Sequence, residues 1–243
     1  VGAVSRRGPV FVEDAAFLRA QTDRPIKWAL PGPMTMIDTL ADRHYRSREK
    51  LAWEFATILN QEARELEAAG VDIIQFDEPA FNVFFDEMKD WGVAALERAA
   101  EGLSAQTAVH ICYGYGIKAN TDWKATLGSE WRQYEESFPL LQQSTLDIVS
   151  LESHRSNVPI DLIELIRGKK IMLGALDVAS ERIETPEEVA ETLRRALRFV
   201  DAENLIPSSN CGMAPLPRQV AFDKISALSA GAQLLREELA GAS

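Results

Sequence analysis

The sequence has 243 residues, 46% hydrophobic and 26% charged, which is enough to bury a sizeable core as one domain or at most two. Lys and Arg total 26 against 37 Asp and Glu, a formal net charge of −11. A surface that acidic repels phosphate backbones and anionic lipid, so neither nucleic acid nor a membrane is an expected partner. No apolar run reaches the ~18 residues of a transmembrane helix. The start, Val1-Gly2-Ala3-Val4-Ser5-Arg6-Arg7, has no apolar stretch behind its basic pair and is not read as a signal peptide. It lacks Met, which is the mark expected of a fragment. The two cysteines, Cys112 and Cys211, need not form a staple in a chain with a full core, and a reducing, cytoplasmic setting is expected.

In chain order, the apolar run Ile26–Leu30 predicts a strand stopped by Pro31-Gly32-Pro33. Ser47 to Ala69 predicts a long helix, with Leu51, Phe55, Ile58, Leu59 and Leu66 at helical spacing and Gly70 as its left-handed terminator. Strands follow at Val71–Phe76, Thr107–Cys112, Asp147–Leu151, Lys170–Leu176 and Asn204–Ser208. Helices are expected at Trp91–Gly102, Ser129–Gln143, Pro159–Arg167, Thr185 to about Val200, and Gln219–Leu239. Thr185-Pro186-Glu187-Glu188 places a cap, a Pro at N1 and acidic residues at one helix start. The connection from Tyr113 to Leu146 is long and holds Trp123, Trp131 and Tyr134, so a functional or helical insert is expected there. Trp28, Trp53 and Trp91 are expected in the core, and His44 on the surface.

Short apolar strands separated by helices are the mark of parallel βαβ units. No G-x-G-x-x-G follows the first strand, which disfavours a dinucleotide sheet. The expected fold class is α/β, a (β/α)8 TIM barrel forming a single domain over 1–243. Only six strands are visible, so the first two βα units are expected to be absent.

The chemistry-bearing residues sit at strand ends, which in such a barrel converge on one face. They are Asp77-Glu78, His110 and Cys112, Glu152 with His154, Asp177, and Asn210-Cys211. His110 and Cys112 are i and i+2 on one strand and point to the same face. Taken singly, a strand cysteine is a small buried hydrophobe and a strand-end Glu a salt-bridge partner. Taken together, His110, Cys112, Glu152 and Cys211 offer imidazole, two thiols and a carboxylate, a zinc-type donor set. Its scatter along the chain fits a catalytic rather than a structural ion. Asp77 and Glu78 diverge across the strand. One is expected to face the site and bind an ammonium group, the other to pair internally. His154 reads equally as a neighbour of the metal site or as a surface residue.

The segments Val71-Asp72-Ile73-Ile74-Gln75-Phe76-Asp77-Glu78-Pro79-Ala80, His110-Ile111-Cys112-Tyr113, Leu151-Glu152-Ser153 and Asn210-Cys211-Gly212 resemble the cobalamin-independent methionine synthase family. The resemblance is to its catalytic C-terminal barrel in the short core form, a uroporphyrinogen decarboxylase-like TIM barrel. It implies a methyltransferase that makes methionine from homocysteine, with Zn2+ as cofactor held by His110, Cys112, Glu152 and Cys211. It gives Asp77 a catalytic role and contact with the substrate amino group, beside Glu78 as a substrate-binding residue. The family's Gly-Ser loop for the homocysteine carboxylate, carried by its first strands, is not found in this sequence. Two departures argue against methyltetrahydrofolate as donor. Ala179 stands where the family has a proton-donating histidine, and the Met36–Leu40 segment after Gly32-Pro33-Met34-Thr35 lacks the tryptophan that the long family enzymes carry there. His154, or a residue between Tyr113 and Leu146, is left as a replacement acid. Methylcobalamin, another carrier, or a methyl-delivering partner protein is then the expected source. The alternatives are a zinc-dependent alkyltransferase for another thiol such as coenzyme M, and a non-catalytic zinc-binding barrel.

Overall fold

The computed structural model describes residues 2–114 and 118–241. Val1, from the start of the chain, and residues 115–117, in the connection after Tyr113, lie outside the described residues. The chain divides into two compact units, Val1–Ile111 with Gln143–Ile148 and Cys112–Gln142 with Val149–Ser243.

The first unit contains α1 (Val12–Arg19), β1 (Lys27–Pro31), α2 (Pro33–Asp38), α3 (Arg48–Ala68), β2 (Ile73–Asp77), α4 (Pro79–Val83), α5 (Phe85–Met88), α6 (Gly92–Ala100) and β3 (Gln106–Ile111). Helix α3 starts where Ser47 accepts a hydrogen bond from Lys50 N–H and ends before Gly70, at φ +94°. Its stripe of Leu51, Phe55, Leu59 and Leu66 is buried, each such side chain contributing roughly 1.5–3 kcal/mol. Asn60 on the same face donates to the carbonyls of Ala99 and Glu101 at 3.0 and 2.8 Å, which ties α3 to the end of α6. Strands β1, β2 and β3 pair in parallel, and the register sets Pro31, Asp77 and His110 level at their C-terminal ends.

The second unit contains α7 (Lys118–Lys124), α8 (Tyr134–Gln143), β4 (Ile148–Glu152), β5 (Lys170–Gly174), α9 (Pro186–Ala196), β6 (Leu205–Ser208) and α10 (Arg218–Gly241). β5 and β6 pair in parallel. Helix α9 opens on a full capping box: Thr185 Oγ1 accepts from Glu188 N–H and the Glu188 carboxylate accepts from Thr185 N–H. Gly231 lets α10 lie close on α9, because a Cβ there would sit 2.6 Å from the Pro186 carbonyl.

All six expected strands form, those that pair within each unit are parallel, and the α/β class is as the hydrophobic pattern predicts. The expected helix at Pro159–Arg167 is a 3-10 segment over Ile160–Ile166. That at Ser129–Gln143 begins later, at Tyr134, and tolerates Pro139 inside it. Helices α1, α2, α4, α5 and α7 were not legible in the hydrophobic pattern. The three tryptophans assigned to the core are not in it: Trp53 is 38% exposed, and Trp28 and Trp91 are half-buried. Among the described residues, no helix is long and apolar enough to cross a membrane.

Candidate metal centre at the strand ends

Strand β3 delivers His110 and then, one residue past its end, Cys112, which is 2% exposed. β6 ends at Ser208, and the chain turns through Ser209 and the buried Asn210 to Cys211. Both cysteines are free thiols, and their sulfurs stand 3.7 Å apart. Two zinc–sulfur bonds of about 2.3 Å at a tetrahedral angle would separate the sulfurs by about 3.8 Å. His110 stands two residues before Cys112 in the chain. The spacing and the donor chemistry both fit a zinc ion.

Glu152 ends β4 and is fully buried. Its Oε1 accepts the Tyr113 N–H at 3.2 Å, so the carboxylate reaches the residue next to Cys112. The Cys112 thiol is pushed well above its usual range, first by its hydrogen bond with Cys211, then by burial, with the charge of Glu152 adding. A buried thiol beside a second thiol and a carboxylate therefore holds its proton, and a bound divalent cation is the kind of agent that would remove it.

Over this corner lies an aromatic cluster. The ring of Tyr113, itself fully buried, stacks on Trp123 at 5.6 Å and meets Trp131 at 5.0 Å and Tyr134 at 5.2 Å. Burial and the Glu152 charge push the Tyr113 hydroxyl up. The long connection is thus folded by its own rings beside Cys112, and the crowding of aromatics in it was the signal for that.

The acidic pair on β2 divides its tasks. Glu78 is fully buried, and its carboxylate accepts from Met34 N–H at 3.0 Å, Thr35 N–H at 2.8 Å and the Thr35 hydroxyl at 2.8 Å. It anchors the start of α2, and Gly32 leaves the space, since a Cβ there would lie 2.1 Å from the Glu78 carboxylate. Asp77 is half-buried, and its Oδ1 accepts from the Gln75 amide at 2.7 Å, whose own oxygen accepts from Lys27 Nζ at 2.7 Å. His154 is half-buried rather than a surface residue. Its Nδ1 lies 3.0 Å from the Thr192 hydroxyl, and burial lowers its pKa. Ala179 is exposed, in a turn where its N–H donates to Asp177 Oδ1 at 2.8 Å. His44 is exposed, as expected.

A family model described as "Cobalamin-independent synthase, Catalytic domain" matches residues 1–233. A methionine synthase of Sulfurisphaera tokodaii is 30% identical over 233 residues, covering 95% of this chain. The chain spans 63% of that relative's length. A 2-hydroxypropyl-CoM lyase of Xanthobacter autotrophicus is 32% identical, over 99% of this chain and 69% of its own. Among solved structures, a B12-independent methionine synthase from Shewanella sp. W3-18-1, in complex with selenomethionine, superposes with a TM-score of 0.96 at 73% identity. That match covers 99% of this chain and 71% of the other.

Proposed function

We propose, for a chain that belongs to the cobalamin-independent synthase catalytic-domain family, methyl transfer to the thiol of homocysteine, with zinc held by His110, Cys112, Cys211 and Glu152. The observation that carries this reading is the sulfur pair at 3.7 Å, with His110 two residues before Cys112 in the chain. The family match runs through both compact units without a break, which supports a single catalytic domain over 1–243. The selenomethionine bound by the Shewanella relative supports methionine as product.

Zinc bound there would supply a Lewis acid that keeps a substrate thiol deprotonated at neutral pH. Two thiolates and one carboxylate bring three negative charges to a divalent ion, which leaves the substrate sulfur electron-rich. That sulfur takes the methyl group as the methyl–carrier bond breaks, the bonding pair staying with the carrier. Asp77, level with His110 in the register, binds the substrate ammonium group. Glu78, occupied with α2, shapes this end of β2 rather than touching substrate. The cysteine pair works only when reduced, which fits a cytoplasmic setting.

The donor half of the reaction is read from Ala179. A folate leaving group needs a proton on nitrogen, and a positioned acid contributes typically 10²–10⁴-fold to such a step. Ala179 carries none. Methyltetrahydrofolate is therefore expected to be a poor donor for the full-length, zinc-loaded protein, and methylcobalamin or a methyl-delivering partner protein a better one. Ala179→His is expected to raise folate-dependent methionine formation. Efficient turnover of methyltetrahydrofolate by the wild-type protein alone would contradict this.

The similarity to a 2-hydroxypropyl-CoM lyase favours a second reading, alkyl transfer involving coenzyme M. The Asp77 carboxylate separates the two, since it attracts an ammonium group and repels a sulfonate. Asp77→Asn is expected to raise KM for homocysteine at least tenfold. A gain of coenzyme M activity in the wild type instead would favour the second reading.

A further inference from the structure

The Asn210 side chain is fully buried, yet it belongs to none of the groups given a chemical role above. Its Nδ2 donates to the His154 carbonyl at 2.7 Å and its Oδ1 accepts the Ser153 N–H at 3.1 Å. Those two partners fix which end is oxygen and which nitrogen, because a carbonyl only accepts and an N–H only donates. The Asn210 N–H donates to the Leu176 carbonyl at 2.9 Å. One residue thus pairs with the chain past the ends of both β4 and β5, as an extra strand would. Room for it is made by Gly174: a Cβ there would lie 2.3 Å from Asn210 Oδ1 and 2.7 Å from Asn210 Cα. Gly174 also accepts the His154 N–H at 2.9 Å through its carbonyl.

Position in sequence makes this clamp relevant to the metal. Ser153 directly follows Glu152, and Asn210 directly precedes Cys211. A single carboxamide therefore joins the backbone next to the carboxylate ligand to the backbone next to the thiol ligand. We propose that Asn210 is a positioning residue that sets the separation of the Glu152 and Cys211 ligands, with Gly174 as the gap that admits it. This rests on the zinc reading above. Groups that orient metal ligands from behind typically cost 10–100-fold in affinity when removed.

The experiment is zinc affinity by chelator competition on the full-length protein, with the visible spectrum of the cobalt-substituted form as a second readout. Asn210→Ala and Gly174→Ala are expected to lose about 10–100-fold in zinc affinity and to shift the cobalt bands. Thr185→Ala, which removes only the α9 cap, lowers stability and is expected to keep both readouts at the wild-type value. A residue that serves stability alone would move affinity no more than Thr185 does. If Asn210→Ala does not fold, Gly174→Ala decides by the same criterion. Wild-type affinity and an unshifted cobalt spectrum in the clamp variants would overturn the proposal while leaving the zinc reading intact. A wild-type protein that takes up no zinc would remove both.

Discussion

Asp77 ends β2 and Glu78 follows it directly. The sequence alone shows that they diverge, but not which one faces the site. The choice is made by Gly32, whose missing side chain opens space for the Glu78 carboxylate at the start of α2. Burial pushes Glu78 up to about 8 despite three hydrogen bonds that favour its ionised form. A folded pKa above the unfolded value of about 4.5 means that this contribution to stability is fully present below pH 4.5. It is lost as pH rises through about 8. The wild-type Tm is therefore expected to fall across that window by more than the Tm of Glu78→Gln, which cannot titrate. Parallel pH profiles of the two proteins by differential scanning calorimetry would contradict this. The thiol ligands were easier to read. His110 and Cys112 share a face by strand alternation alone, and the remaining cysteine had one expected strand end to occupy.

Elements with a long periodic face were legible, and short ones were not. Helix α3 has several turns of apolar stripe, a serine cap and a terminal glycine. By contrast α2, α4 and α5 have 6, 5 and 4 residues, too few to show a period. Over Ile160–Ile166 the apolar residues are spaced as a helix would have them, and hydrogen bonding, not hydrophobicity, makes the segment 3-10. Helix α10 carries a feature that hydrophobic patterning reads backwards, a lysine on its buried side. Lys224 is 0% exposed; its Nζ lies 2.9 Å from Glu184 Oε2 and also donates to the Arg182 carbonyl. Glu184 in turn accepts the Asp177 N–H at 3.0 Å. Removing one partner leaves a buried uncompensated charge, which costs about 3–5 kcal/mol. Lys224→Met is expected to lose that much in urea denaturation, and Lys224→Met with Glu184→Leu to recover most of it. A single-variant loss under about 1 kcal/mol would show that the pair is not a stabilising tie between α10 and the Arg182–Glu184 segment.

For the molecule as a whole, hydrophobic patterning gave the class of fold, while the candidate site rests on a handful of strand-end residues. Those residues are dispersed from Asp77 to Cys211, so spacing alone left a metal centre as one reading among several. What spacing could not supply was distance, and the 3.7 Å between sulfurs 99 positions apart in sequence is the datum that supports it. The clamp at Asn210 was beyond reach of the sequence, because it depends on which strand ends meet. The central claim is that methyl transfer by this protein runs through a zinc centre built on Cys112 and Cys211. Its most direct test is methionine formation from homocysteine by the full-length protein, with the best methyl donor, measured after chelation, after return of zinc, and in Cys211→Ser. The account predicts one zinc per chain, activity lost with the metal and restored by it, and an inactive Cys211→Ser that keeps its fold but not its zinc. Undiminished activity in metal-free protein or in Cys211→Ser would contradict it.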